Sequence, residues 1–176
     1  MIPKSEIQLV PNPEALCRAA AAEFVNSTAE AVAAKERFTV ALSGGSTPRG
    51  LYSLLASDPA LREHLPWENT YFFWGDERHV PPDHPESNFR MANEAWLLRV
   101  PAPASHVFRI KGEYEDAARA ADEYARVLGD FFKLNAGEFP RLDLVLLGWG
   151  RRATPHRSFL APRRCWKGPL GSGQLG

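Results

Sequence analysis

Small polar residues and two glycines directly follow an apolar run early in the chain. The run FTVAL is followed by five such residues, Ser43, Gly44, Gly45, Ser46 and Thr47. Apolar residues at helical spacing begin at Leu51. Glycines at a strand-to-helix turn let a ligand approach the backbone, and the helix start offers unpaired N–H groups with a partial positive charge. The loop is therefore predicted to bind an anion, and phosphate fits best. The alternative is a tight turn in which Ser46 or Thr47 caps the helix.

A charged cluster follows the next apolar run. Asp76, Glu77 and Arg78 come directly after NTYFFWG at 69–75. An arginine can bind a phosphate or carboxylate through two parallel hydrogen bonds. Asp76 is suited to order a sugar hydroxyl, a water molecule or a histidine. The alternative is a solvated ion-pair cluster in a loop, and Ser87 is expected only to cap the following helix.

The elements that must position these residues alternate along the chain. Apolar periodicity predicts helices at 13–34, 48–56, 87–98 and 114–135, and strands at 37–42, 69–75, 106–110 and 142–147. Asn12 is expected to cap the first helix, with Pro13 in its first turn. Continuous apolar strands are typical of a parallel sheet covered by helices on both faces, so the fold class is α/β and Rossmann-like. The carboxyl ends of parallel strands meet at one edge of the sheet, so residues 43–47, 75–78 and 148–150 are expected to lie at the same edge. Ligands bind at this edge in such sheets.

The composition excludes several classes of protein. The chain has 176 residues, 44% hydrophobic and 24% charged, and no apolar run approaches the roughly 20 residues that cross a bilayer. Two cysteines give neither a disulfide framework nor the spacing of metal ligands, so we expect a cytoplasmic location. The net charge is zero, but residues 151–176 carry six basic and no acidic residues. A nucleic-acid-binding arm is nevertheless not expected there, because these basic residues lack a scaffold.

Four motifs together resemble one enzyme family. LSGGSTPRGLY, FFWGDERHVPPDHPESNFRMA, RIKGE and DLVLLGWG resemble the 6-phosphogluconolactonases in content, order and spacing, over nearly all of residues 10–150. The resemblance implies hydrolysis of 6-phospho-D-glucono-1,5-lactone to 6-phosphogluconate in the oxidative pentose phosphate pathway, without metal or cofactor. It also implies a phosphosugar lactone bound by residues 43–47 and Arg78, with Asp76 in a supporting catalytic role.

Two alternatives to the lactonase are kept open. The glucosamine-6-phosphate deaminases and isomerases share the glycine loop and the fold, but that group has Met-Asp-Glu-Tyr where this chain has Gly75-Asp76-Glu77-Arg78. The arginine favours the lactonase. The other alternative is a non-catalytic domain that binds a sugar phosphate.

The resemblance breaks near residue 150. Lactonases continue with Gly-His-Thr-Ala-Ser-Leu-Phe-Pro, whose histidine is the general base, whereas residues 151–162 here read RRATPHRSFLAP, with no histidine at the matching position. Reading codons 153–160 one base out of frame can recover all eight family residues. We therefore expect a lactonase-like domain at 1–150, incomplete at its C-terminus, and a frameshifted, disordered basic tail at 151–176. Sequencing the gene across codons 148–162 tests this hypothesis, and the truncated chain is expected to be poorly stable and weakly active or inactive.

Overall fold

The structure, a computed structural model, describes residues 7–148 and the backbone of residues 158–160. The helices in this part of the chain are α1 (Pro13–Lys35), α2 (Ser46–Ser57), α3 (Pro59–His64), α4 (Asn88–Ala95) and α5 (Ala117–Phe132). The strands are β1 (Phe38–Leu42), β2 (Thr70–Trp74), β3 (Asp76–Arg78), β4 (Val107–Phe108), β5 (Leu144–Val145) and β6 (Ser158–Leu160). The predicted helices and strands are all present, and α3, β3 and β6 are additional.

The main sheet has four parallel strands in the order β4-β2-β1-β5. The central strand β1 pairs with β2 over its whole length, from Phe38 opposite Thr70 to Leu42 opposite Trp74. It pairs with β5 on its other side at Val40 and Ala41. All five residues of β1 are buried. The predicted α/β parallel sheet is therefore confirmed.

Helices cover both faces of this sheet. On one face, the ring of Trp96 packs against Phe72 of β2 and Phe24 of α1, with centroids 5.2 and 5.4 Å apart. Neighbouring residues of a strand point to opposite faces. On the other face Phe73 accordingly packs against Phe131 of α5, at 5.1 Å. An aromatic cluster therefore lies on either side of β2, within a core that also holds many aliphatic side chains.

Side-chain caps mark the N-terminal start of most of these helices. Asn12 caps α1 as predicted, accepting a hydrogen bond of 2.8 Å from the N–H of Ala15. Asp116 caps α5 through the N–H of Ala118, and α5 therefore begins at residue 117 and not at 114. The helix α4 ends at residue 95 and not at 98. Trp96 leaves the helical conformation there, with φ −139° and ψ −65°, and its ring is fully buried.

A second, two-stranded sheet joins β3 to β6. The two strands are antiparallel, with Asp76 opposite Leu160 and Arg78 opposite Ser158. The strand β6 lies within 151–176, the segment expected to be disordered, so for these three residues the structure has a strand instead. The other residues of that segment lie outside the described residues, and the domain division at residue 150 stays a prediction.

A carboxylate next to β5 adds to the backbone pairing of this strand with β1. Asp143 accepts hydrogen bonds from the N–H and the hydroxyl of Thr39, at 2.8 and 2.7 Å, and forms an ion pair with Lys35 at 2.6 Å. Beyond this contact the apolar strand is poorly covered, because Val145 is 42% exposed and Leu147 is 77% exposed. The low stability expected of the chain is consistent with this exposure and stays a prediction.

Candidate functional site

The segments that follow β1, β2 and β5 meet at one edge of the sheet. The N–H of Gly75 donates to the carbonyl of Leu42 at 3.0 Å, which joins the ends of β1 and β2. A Cβ atom on Gly148 would lie 3.3 Å from the carbonyl oxygen of Gly44. The structure therefore brings together the glycine loop, the start of β3 and the end of the β5 region.

Each glycine of the loop is needed for a different reason. Gly45 has φ 113°, a conformation that residues with side chains rarely adopt. Gly44 leaves no room for a side chain, because a Cβ atom there would lie 1.8 Å from Oδ1 of Asn88. Gly45 is also the N-cap of α2, without a side-chain hydrogen bond. The alternative that Ser46 or Thr47 caps this helix is therefore wrong.

The hydroxyl of Tyr52 holds the start of the glycine loop. It accepts a hydrogen bond from the N–H of Ser43 at 3.1 Å and donates one to the carbonyl of Ser43 at 3.0 Å. Burial raises the pKa of Tyr52 strongly, although its hydrogen bonds to Ser43 oppose the shift, so the hydroxyl keeps its proton. The hydroxyl of Ser43 itself is buried and has no hydrogen-bond partner among the described residues. This hydroxyl lies directly after the end of β1.

Ser46 and Thr47, at the start of α2, are exposed. Together with Cys17 they border a groove of about 460 Å³ between α1 and α2. The five predicted loop residues thus differ in setting, since Ser43 is buried and the last three are open to solvent.

Glu77 forms a buried connection between β3 and α4. Its side chain is 2% exposed, and its carboxylate accepts four hydrogen bonds of 2.6–3.1 Å. The donors are the hydroxyl of Ser87 and the N–H groups of Arg78, Asn88 and Phe89. Two of these N–H groups belong to the first turn of α4, where the helix dipole favours a negative charge. A solvated ion-pair cluster therefore does not describe Glu77, while Ser87 caps α4 as expected through the N–H of Arg90.

Asp76 and Arg78 flank Glu77 on β3 and are half-buried. Burial raises the pKa of Asp76 above its usual value, while the charge of Arg78 and a hydrogen bond from Asn88 oppose the shift. Nε of Arg78 is buried without a hydrogen-bond partner among the described residues. This edge of the sheet thus has a guanidinium N–H and the Ser43 hydroxyl as buried donors with no partner in the described part of the chain.

Asn88 links the two predicted halves of the site. Its amide packs against Gly44 and donates to the backbone carbonyl of Asp76 at 3.2 Å. A second loop supports β3 from another side, because a Cβ atom on Gly112, in RIKGE, would lie 2.2 Å from the carbonyl of Arg78. These positioning roles of Tyr52, Glu77 and Asn88 were not predicted from the sequence. The available signal was that Tyr52 and Asn88 lie within the same motifs as the predicted loop and cluster.

No cluster of three or more histidine, cysteine or acidic side chains suited to a metal ion occurs among the described residues. In that same part of the chain, no helix is long and apolar enough to cross a membrane.

Comparisons with known proteins agree in one family. The family of glucosamine-6-phosphate isomerases/6-phosphogluconolactonase matches residues 11–153. A 6-phosphogluconolactonase of Nostoc sp. is 41% identical over 159 residues, which cover 90% of this chain and 63% of that protein. The solved 6-phosphogluconolactonase from Trypanosoma cruzi has a TM-score of 0.71 at 34% identity, covering 84% of this chain and 59% of its own. A monomeric glucosamine-6-phosphate deaminase has a TM-score of 0.60 at 22% identity, a likeness in fold alone. The chain spans less than two thirds of the length of these relatives.

Proposed function

This chain belongs to the family of glucosamine-6-phosphate isomerases and 6-phosphogluconolactonases, and on that premise we propose that it binds a phosphosugar lactone at the edge described above. The ligand is 6-phospho-D-glucono-1,5-lactone, and the reaction of the complete enzyme is its hydrolysis to 6-phosphogluconate. One observation carries the proposal. The edge has two buried donors that are unpaired within the described residues: the hydroxyl of Ser43, just before the N-terminus of α2, and Nε of Arg78, on β3.

The phosphate is assigned to the glycine loop and Arg78. The N–H groups of Gly44 and Gly45 have no hydrogen-bond partner among the described residues, and Ser46 and Thr47 begin α2. A phosphate dianion at this helix start gains from the helix dipole and from backbone N–H donors. Arg78 adds a full positive charge and a planar pair of donors, which suits an anion with several oxygen atoms.

The reaction requires a water molecule to attack the carbonyl carbon of the lactone. The bond from that carbon to the ring oxygen then breaks, the ring oxygen takes up a proton, and a carboxylate is left. A general base must remove the proton from the water, and the resemblance assigns this role to a histidine that this chain lacks at the matching position. Asp76 is proposed in support, ordering a sugar hydroxyl or the base. We therefore propose that binding persists in this chain while turnover is weak or absent.

The lactone is favoured over an amino-sugar phosphate. Arg78 stands where the deaminase group has tyrosine, and the relatives above 30% identity described here are lactonases. The deaminase likeness stays at the level of fold. The cytoplasm is the proposed compartment, because cysteines are few, and no nucleic acid is proposed as a partner.

Titration calorimetry tests the binding proposal. We expect 6-phosphogluconate to bind at least about tenfold more tightly than gluconate, which lacks the phosphate. Arg78→Gln should lower the affinity for 6-phosphogluconate by about tenfold or more, whereas Arg99→Gln, at an exposed position, should leave it unchanged. Equal affinity for the two ligands, or no effect of Arg78→Gln, would contradict the proposal.

Parallel assays separate the candidate reactions. Lactone hydrolysis is expected to be slower than that of the Nostoc relative, and ammonia release from glucosamine 6-phosphate is expected to stay at background. Ammonia release above background would favour the deaminase. Turnover of the lactone at the rate of the relative would show that the missing histidine is not required.

A further inference from the structure

Two tyrosine hydroxyls hold the backbone at the carboxyl ends of the neighbouring strands β1 and β2. The hydroxyl of Tyr52, on α2, bonds both the N–H and the carbonyl of Ser43, at 3.1 and 3.0 Å. The hydroxyl of Tyr124, on α5, bonds both the N–H and the carbonyl of Trp74, at 2.9 and 3.0 Å. Both tyrosines are buried. Each hydroxyl therefore makes the same pair of backbone hydrogen bonds, at similar distances.

The two contacts differ in what else holds the backbone. Trp74 is the last residue of β2 and lies opposite Leu42 in the ladder with β1. Ser43 lies just beyond β1, and the next two residues, Gly44 and Gly45, have N–H groups without a partner among the described residues. Two successive glycines have the greatest backbone freedom. The Tyr52 hydroxyl is therefore the restraint closest to the loop on its strand side.

We propose that Tyr52 is a positioning residue for phosphosugar binding. Its hydroxyl fixes the Ser43 peptide and thereby holds the Ser43 side chain and the two glycine N–H groups in the arrangement that receives the phosphate. Tyr52 does not itself touch the ligand. This inference rests on the proposed function, because it assumes that the glycine loop binds phosphate.

Tyr52→Phe and Tyr124→Phe form a matched pair of variants. Each removes one buried hydroxyl that makes two backbone hydrogen bonds and keeps the aromatic ring. The melting temperatures of both are expected to fall by similar amounts. In calorimetry, Tyr52→Phe should weaken 6-phosphogluconate binding by about tenfold, a loss comparable with one or two hydrogen bonds, while Tyr124→Phe should change it by less than about twofold.

The outcomes separate the two proposals. Equal losses of affinity in the two variants would overturn the role of Tyr52 and leave the phosphosugar site standing. Absence of 6-phosphogluconate binding in the wild type would overturn the proposed function and, with it, the ligand role of Tyr52. Tighter or unchanged binding in Tyr52→Phe would also overturn that role.

Amide hydrogen exchange gives a readout that needs no ligand. In the wild type the Ser43 amide is expected to exchange as slowly as the Trp74 amide, since each donates to a buried hydroxyl. In Tyr52→Phe, exchange at Ser43 should accelerate at least about tenfold while exchange at Trp74 is unchanged, and Tyr124→Phe should give the reverse. If Tyr52→Phe does not fold, amide exchange in the wild type still tests the inference. A Ser43 amide that exchanges much faster than the Trp74 amide in the wild type would overturn it.

Discussion

Replacing Glu77 by glutamine should loosen the start of α4. The carboxylate of Glu77 is 2% exposed and is surrounded by four donors, three of them backbone N–H groups. Glutamine has nearly the same shape, so the substitution removes the charge and one acceptor oxygen with little change in packing. The amide NH₂ group must then face donors that previously faced an oxygen.

The magnitude follows from these four bonds. A hydrogen bond to a charged group contributes about 1.5–3 kcal/mol and a neutral one about 0.5–1.5 kcal/mol. In Glu77→Gln, two bonds weaken from the charged to the neutral kind and two are lost, while the cost of burying a charge is relieved. We expect a net loss of about 3 kcal/mol in the free energy of unfolding. For a domain of this size that loss lowers the melting temperature by about 6–12 °C.

Urea unfolding followed by tryptophan fluorescence measures this loss. Glu30→Gln is the control, because Glu30 lies on the exposed surface of α1 and its substitution should change stability by no more than about 0.5 kcal/mol. A loss in Glu77→Gln below about 1 kcal/mol, or equal to that of the control, would refute the reasoning. It would mean that the carboxylate contributes little to the start of α4.

Three further substitutions test the site and its surroundings. Gly44→Ala would place a Cβ atom 1.8 Å from Oδ1 of Asn88, so it should weaken 6-phosphogluconate binding by at least about tenfold, and unchanged binding would contradict this. The control is Gly129→Ala, whose Cβ atom would have nothing within 4 Å and which should raise the free energy of unfolding by about 0.5–1 kcal/mol. Burial raises the pKa of Asp143, but the hydrogen bonds to its carboxylate have the larger effect together, so the pKa is lowered overall. The ionised carboxylate therefore stabilises the fold above about pH 4, and this stabilisation is lost as the pH falls. Melting curves of Asp143→Asn should therefore show a loss of about 1–2 kcal/mol at pH 7 that disappears in acid, and a loss independent of pH would argue against it. Burial raises the pKa of Asp76, so ionisation of this carboxyl lowers the free energy of unfolding as the pH rises through its pKa. Asp76→Asn should melt higher than the wild type at pH 7 and like it in strong acid, and a lower melting temperature at pH 7 would count against this reasoning.

The main sheet could be predicted because its strands are marked by composition. The runs at 38–42 and 70–74 are continuously apolar or aromatic and are bounded by polar residues, so both were located to within one residue at each end. The helix α3 was missed because six residues, PALREH, are too short to show an apolar period. The strand β3 was missed because its three residues are all charged, and its partner β6 lies about 80 positions further along the chain.

The candidate site could be predicted in part. Glycines and hydroxyls after an apolar run are visible in the sequence, and so is a charged triplet after the next run. The roles of Tyr52 and Glu77 were not visible, because each depends on which backbone atoms a side chain reaches after folding. In the sequence Glu77 has the pattern of a surface residue, and only the folded structure shows that the start of α4 packs against its carboxylate. Whether these residues act as a phosphosugar site stays a prediction.

The central position of β1 also has a consequence for the order of events during synthesis. Thr39, in β1, is hydrogen-bonded to Asp143, which lies 104 positions further along the chain. At about 5–20 residues per second, a ribosome needs roughly 5–20 s to make that intervening stretch. Through this interval β1 can pair only with β2, and its other edge stays open on the nascent chain. A chaperone that shields apolar strand edges would therefore be most useful to this protein before residue 143 leaves the ribosome.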